Sequence, residues 1–339
     1  MIRTLTSIRT AEGFTLYRVA HNPKNTFEID DKYSRVCRLR PTAQSPEYWL
    51  NCKRQTKPRT LVYVGDKIKD KNPELFASGY VYVNVGSILS VDTSNVKLAK
   101  TAKQFADVLS IIYYGAPSNV AGMGINTCRF ASAACRELCL NLAGNGSITG
   151  VQLSRIARTR LSRWAPVLFW KMFSVDLERF KRKAKRENKR LACRPNGTTD
   201  ERSPELLEIM RTNPDVEFYD YSAVPDSLDV ADSLPNYSVT FSRKETAGNL
   251  VHVREAIQRG FNVAVVVDPD AKQIALRQRP ELFVDFDKHD LRLPDVDGRG
   301  KIGLLTPKGR MRKELKPTEK RTMTYRGYAQ LLNHFGECA

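Results

Sequence analysis

The run Asn262-Val263-Ala264-Val265-Val266-Val267 constrains this chain more than any other segment. Its continuous apolar, β-branched residues leave no side to present to water. The run therefore predicts a strand buried on both faces, the environment of a central strand in a parallel sheet. Shorter strand patterns stand at Leu191–Arg194, Val216–Tyr221, Tyr237–Ser242 and Ile302–Leu305. Helical patterns alternate with them. One opens at Pro204 after the N-cap candidate Ser203, and another runs from Leu250 to Arg259 and stops at Gly260. This rhythm predicts an α/β fold, a mainly parallel sheet of incomplete-barrel type with flanking helices.

Upstream, Thr101–Tyr114 reads as a helix leading into an apolar strand. Leu153–Lys171 reads as a basic amphipathic helix interrupted near Pro166, and Asp176–Lys189 as a second helix. Residues 1–95 look β-rich, with strand patterns at Thr15–Ala20, Thr60–Gly65 and Val81–Val85. The expected organisation is a β-rich accessory region or N-terminal extension (1–95), an α/β main domain (96–310) and a basic C-terminal tail (311–339).

Charge narrows the function. The chain carries 55 Lys+Arg against 37 Asp+Glu, a net charge of +18. An excess of that size favours a polyanionic partner, DNA or RNA, when it is patterned. Arg179–Arg190 holds eight basic residues in twelve, among them Lys181, Arg182, Lys183, Lys185 and Arg186. Arg155 and Arg158 precede them on the first basic helix, and a second basic cluster runs from Lys308 to Arg321. A solvated charged face is the plain alternative for either cluster alone. No apolar run approaches the about 18 residues that span a bilayer, so no transmembrane association is expected. The first residues lack the apolar core of a secretion signal, and the protein is read as cytoplasmic.

Seven cysteines occur, and three crowd together as Cys128-x6-Cys135-x3-Cys139. An odd count without an export signal argues against a disulfide framework. If residues 131–140 are helical, Cys135 and Cys139 lie one turn apart on one face, with Cys128 on the preceding loop. Gathered thiolates suit zinc or an iron–sulfur cluster. Three protein ligands leave one position open. Cys193, at the end of a strand, would close the set as a fourth ligand. The competing reading is ordinary core cysteines.

The loop Gly144-Asn145-Gly146-Ser147 lies just before a basic helix, where glycines and free N–H groups suit a phosphate or carboxylate. A helix-to-helix connection explains it nearly as well. No G-x-G-x-x-G or P-loop fingerprint occurs. Polar residues gather at predicted strand ends: Arg194, Asn196 and Asp200, Asp220 and Tyr221, Ser242, Arg243 and Lys244, Asp268 and Asp270. In an α/β sheet such ends converge on one face. Asp200, Asp220, Ser242 and Arg243 are the catalytic candidates, and Gly144, Asn145, Gly146 and Asn196 the cofactor-binding candidates. The acidic stretch Asp285–Asp290, with Asp295 and Asp297 beyond it, reads as a solvated loop or a divalent-metal, nuclease-like site. The four scattered histidines form no familiar hydrolase pattern.

Several short motifs occur in a distinctive order: Ala143-Gly144-Asn145-Gly146, Arg194-Pro195-Asn196-Gly197-Thr198-Thr199-Asp200, Glu217–Ser222, Leu234–Ser242 and Asn262–Val266. With the cysteine loop before them, they resemble the bacteriophage gene-product-88 domain family over roughly residues 120–310. The resemblance implies a phage origin, hence the host cytoplasm, and a loose likeness to cysteine-cluster barrels. It brings no settled activity. Members often read Cys-Pro at the first cysteine, where this chain has Cys128-Arg129.

The expectation is a protein that holds a metal or iron–sulfur cluster on Cys128, Cys135 and Cys139 and acts on nucleic acid or a nucleotide. An open cluster iron would admit S-adenosylmethionine and a modification reaction. The alternatives are a non-enzymatic binder of DNA or a host protein with structural zinc, and a Mg²⁺-dependent nuclease.

Overall fold

The computed structural model describes residues 5–9, 15–19, 26–29, 59–63, 80–91, 96–122, 124–309 and 328–335. The chain divides into two compact units. One comprises residues 1–88, 115–126 and 148–177, and the other 89–114, 127–147 and 178–339.

The first unit contains five antiparallel strands in sequential order: β1 (Leu5–Arg9), β2 (Thr15–Val19), β3 (Thr26–Ile29), β4 (Arg59–Tyr63) and β5 (Tyr80–Asn84). A 16-residue helix, Thr149–Trp164, belongs to the same unit. It ends at Ala165, the residue before a proline, whose φ of −135° leaves the helical region. Pro166 then opens a new helix as its first residue and runs to Arg186 without a break. The segments read from sequence as one interrupted helix and a separate second one are therefore a 16-residue helix and a 21-residue helix.

The second unit is built on an eight-stranded sheet. Its strands are β6 (Leu89–Val91), β7 (Val108–Tyr113), β8 (Arg190–Arg194), β9 (Val216–Ser222), β10 (Tyr237–Ser242), β11 (Asn262–Val266), β12 (Phe283–Asp285) and β13 (Ile302–Leu305). The spatial order is β12-β13-β11-β10-β9-β8-β7-β6. Every pairing is parallel except β6 with β7. The fold class expected from sequence is the one observed.

Burial on both faces explains the composition of these strands. All six residues of β7 are buried, and Val263, Val265, Phe241 and Ile302 are closed off from solvent. Helices lie between the strands in sequence. In chain order through this unit they are α1 (Val96–Gln104), α2 (Ala133–Glu137), the C-terminal part of the Pro166–Arg186 helix, α3 (Pro204–Thr212), α4 (Ser227–Ser233), α5 (Ala247–Gln258), α6 (Pro269–Gln278), α7 (Pro294–Asp297) and α8 (Tyr328–Phe335). Helix α3 shows the local logic. Ser203 accepts from the Leu206 N–H at 3.2 Å, Pro204 occupies the first turn, and Leu206, Ile209 and Met210 form the buried stripe. Helix α5 ends at Gly260, whose φ of +78° is one a side chain would strain.

Parallel pairing sends the C-terminal ends of β7 to β11, β12 and β13 to one side of the sheet. Most of the basic cluster from Lys308 to Arg321 lies outside the described residues, as do Cys37, Cys52 and Cys338. No described helix is long and apolar enough to cross a membrane.

Candidate functional site

A cavity of about 470 Å³ opens at the C-terminal ends of the parallel strands. Arg194 of β8, Tyr221 of β9, Ser242 of β10, Val266 of β11 and Leu305 of β13 all line it. The volume falls in the range of about 300–1,000 Å³ typical of small-molecule sites. Cys128, Cys135 and Cys139 line the same cavity, as do Asn196, Asp200 and Arg243. Residues called from three separate stretches of sequence thus share one wall.

The cysteine segment is less regular than expected. Helix α2 is only five residues long. Ser132 caps it by accepting from the Cys135 N–H at 3.2 Å, and its own hydroxyl donates to Glu245 Oε2 at 2.8 Å. The helix stops at Leu138, and Cys139 (φ −54°, ψ 133°) caps the following 3-10 turn, its sulfur accepting from the Asn141 N–H. Cys135 and Cys139 are therefore not neighbours on one helical face. The chain turns between them.

Burial pushes the Cys135 thiol up to about 12, with Cys139 and Cys128 adding to the rise and Lys244 opposing it. Cys135 stays protonated until a positive charge arrives. A coordinated metal supplies one and deprotonates its thiol ligands. Among the described residues, no three His, Cys, Asp or Glu side chains stand as a group that could hold a metal ion. Cys193 lies elsewhere. It is fully buried within β8 opposite Phe218, outside the cavity lining, and burial raises its thiol well above the ordinary range.

Asp220 supports the site from behind. It is fully buried and accepts from the Asn196 backbone N–H and from Asn196 Nδ2, both at 2.9 Å, with Tyr237 Oη at 3.4 Å. Burial raises its pKa to about 6 against the pull of these donors. Asn196 passes the order on: its Oδ1 accepts from Thr199 and from the Glu201 N–H. Asp200 is pinned by Ser222 Oγ and the Ala223 N–H, each at 2.8 Å, with Arg202 3.7 Å away. Burial raises its pKa as well.

The turn after β10 is held by Asn249. Its Oδ1 accepts from the Lys244 N–H at 2.7 Å and Arg243 Nη1 at 3.4 Å, and its Nδ2 donates to the Ser242 carbonyl. Arg243 Nε donates to His334 Nε2 at 3.0 Å. Burial and two arginines push His334 down to about 4, so a neutral ring accepts. Lys244 Nζ donates to the Phe130 carbonyl on the cysteine loop.

The acidic stretch after β12 is neutralised residue by residue. Asp285 and Asp287 both meet Lys272, Asp287 also takes Lys308, and Asp290 pairs with Arg194 at 2.9 Å in a buried setting. Asp297 is locked to Arg292, with both carboxylate oxygens at 2.7 Å. The remaining candidates lie apart from the cavity lining. Gly144, Asn145 and Gly146 form a 3-10 turn in which Gly144 has a φ of +55°. Arg155 is buried, and Arg158 Nε donates to the Ser87 carbonyl within the first unit. Lys181 pairs with Asp215 at 3.0 Å and Lys183 with Glu187 at 3.8 Å, while Arg182, Lys185 and Arg186 are exposed.

Residues 88–322 match the family model described as Gene product 88. The chain belongs to the Gene product 88 family. The match spans the whole eight-stranded sheet of the second unit and the cavity with it. It begins upstream of the stretch that the short motifs indicated. No curated protein and no solved structure matches the chain. In this family member, sequence reasoning missed Lys100, Glu245 and Asn249. Lys100 sits on an exposed helix position with no local motif, and nothing in sequence places it beside Asp287, whose carbonyl it meets at 2.9 Å.

Proposed function

We propose that this phage-family protein carries an iron–sulfur cluster on Cys128, Cys135 and Cys139 and modifies a nucleic acid or nucleotide at the strand ends. The observation that carries this reading is that all three thiols line the cavity shared by Asn196, Asp200, Ser242 and Arg243. Of the two thiol-bound groups, a cluster tolerates the wider spacing of ligands. Cys135 is close enough to the other two thiols for their charges to matter, yet no described trio is gathered around one point. A cluster places its ligand sulfurs on different irons and so accepts thiols spaced too widely for one zinc.

Three cysteines would leave one iron of a four-iron cluster without a protein ligand. A small molecule with nitrogen and oxygen donors, such as S-adenosylmethionine, suits that position. Such a cluster supplies one-electron chemistry. This chain's residues supply the rest. Lys244 opposes the rise in the Cys135 pKa and so eases thiolate formation, Asp220 and Asn196 fix the loop that bears Asp200, and Asn249 fixes Arg243 and Lys244. The exposed Arg182, Lys185 and Arg186 offer phosphate contacts on the surface of the second unit. The place of action is the host cytoplasm.

Metal and acid-labile sulfide analysis of anaerobically prepared protein tests the reading, beside a Cys128/Cys135/Cys139→Ser triple variant. Iron and sulfide near stoichiometry, absent from the triple variant, are expected. Zinc alone would point instead to a structural site in a nucleic-acid or host-factor binder. Absence of any metal would return the three thiols to ordinary packing roles.

A further inference from the structure

The cavity wall carries an imbalance of charge. Five cations line it, Lys100, Arg194, Arg243, Lys244 and Lys308, against the three carboxylates Asp200, Asp287 and Asp290. Each carboxylate has its own cation: Asp200 has Arg202, Asp287 has Lys272 and Lys308, and Asp290 has Arg194. Lys100, Arg243 and Lys244 differ. Among the described residues their hydrogen-bond partners are all neutral: the Asp287 carbonyl for Lys100, the Phe130 carbonyl for Lys244, and His334, Thr246 O and Asn249 for Arg243. His289, held down near 4 by burial, adds no charge to this balance at neutral pH.

Part of the lining is apolar and aromatic. Leu138, Leu140, Val266, Leu305 and the rings of Tyr221 and Phe286 face the same space, the two rings standing edge to face at 6.3 Å. An excess of two positive charges matches a phosphate monoester, which carries about −1.5 to −2 at neutral pH. A carboxylate supplies only one charge, and an uncharged ligand would leave the excess unmatched.

We infer that this cavity binds a small phosphate monoester with a flat apolar portion, a mononucleotide, with its phosphate held by Lys100, Arg243 and Lys244. The inference deepens the nucleotide half of the proposed function by naming what enters the cavity, and it does not depend on the cluster. A nucleic-acid chain would then meet the protein elsewhere, or present a single terminal phosphate-bearing residue here.

Isothermal titration calorimetry on the full chain tests it, with adenosine monophosphate, adenosine and succinate as probes. Adenosine monophosphate is expected to bind about tenfold or more tightly than adenosine, the scale of a lost charge-assisted contact. The Lys100→Gln/Lys244→Gln double variant is expected to bring adenosine monophosphate and adenosine to equal affinity. Lys308→Gln, whose cation is already matched by Asp287, is expected to leave the difference largely in place. Thermal melting of each variant confirms that it is folded, and Lys244→Gln alone serves if the double variant is not. Equal affinity for adenosine and its monophosphate in the wild type would overturn the inference. So would an unchanged difference in the lysine variants, or binding of succinate in preference to the phosphate. Iron content read on the same preparations tests the cluster separately. The Cys128/Cys135/Cys139→Ser protein is expected to lose iron and keep its preference for the phosphate.

Discussion

The parallel sheet of the second unit has a cavity at each end, and the two differ in how their polar groups are employed. The cavity at the N-terminal ends, about 360 Å³, is bordered by Glu217, Asp232, Asn236, Asn262 and Arg292. Each of these is engaged in tying chain to chain. Asn236 Nδ2 reaches the carbonyls of Met210, Asn213 and Val216, and Asn262 bridges Gly298 O and the Lys301 N–H. Glu217 meets Arg190, Asp232 meets Arg259, and Arg292 meets Asp297. At the C-terminal ends, three thiols line the open space beside three cations whose hydrogen bonds, among the described residues, go to neutral groups. Polar groups matched within the fold give stability, and groups left unmatched give a site for a ligand.

The largest effect that can break this contrast is expected at the N-terminal end. Asp297→Ala removes the only carboxylate in reach of the fully buried Arg292 among the described residues, leaving a buried charge alone. A loss of about 3–5 kcal/mol in stability is expected from urea denaturation. A loss under about 1 kcal/mol would show that Arg292 reaches water and that this end is not closed.

Gly303→Ala should follow. A Cβ there would stand 1.9 Å from the Phe286 ring, which lines the upper cavity, so the ring must move. Overpacking of this kind costs about 1–3 kcal/mol or more. The melting temperature is expected to fall, and ligand binding in the cavity to weaken with it. An unchanged melting curve would mean that Phe286 is free to shift.

Asp220 gives a pH test. Its folded pKa, about 6, lies above the ordinary carboxylate value, so the folded state holds the proton more tightly than the unfolded chain. Its contribution to stability is therefore greatest below pH 4 and declines as pH rises to about 6. In Asp220→Asn that decline is expected to vanish from denaturation measured between pH 4 and pH 7. At pH 7 the variant should lose about 1–3 kcal/mol, because the new amide sets a donor against the Asn196 donors. A pH profile identical to the wild type would assign the titration to another group.

A sharper and smaller test separates the cysteines. Cys193→Ala alters a buried side chain outside the cavity, so iron content is expected to stay at the wild-type level. Loss of iron there would bring Cys193 into the ligand set. The smallest effect is expected at Lys181→Ala on the Pro166–Arg186 helix, within about 1 kcal/mol despite its contacts to Asp215 and Glu178.

Much of the second unit could be read from the chain. The strands at 237–242 and 302–305 fall where the residue pattern puts them, and Ser203 and Gly260 bound their helices as side-chain chemistry requires. These features rest on local rules, namely burial period, capping and backbone freedom. The cysteine segment misled because its spacing suits a helix, whereas the chain leaves the helix at Leu138. Pro166 reads as an interruption within one helix, yet it starts the longer of two.

The sequence by itself determined the parallel α/β class, the side of the sheet on which the candidate residues gather, and the chemical types available there. Each follows from interactions between residues close along the chain, or from the chirality of parallel pairing. Only the tertiary structure decided which charges cancel. Asp290 meets Arg194 across 96 positions, and Lys100 meets the Asp287 carbonyl across 187. Pairing at such separations depends on how strands and helices pack, and no local pattern records it. The same packing sets Asp220 behind Asn196 and leaves Arg243 and Lys244 facing the cavity.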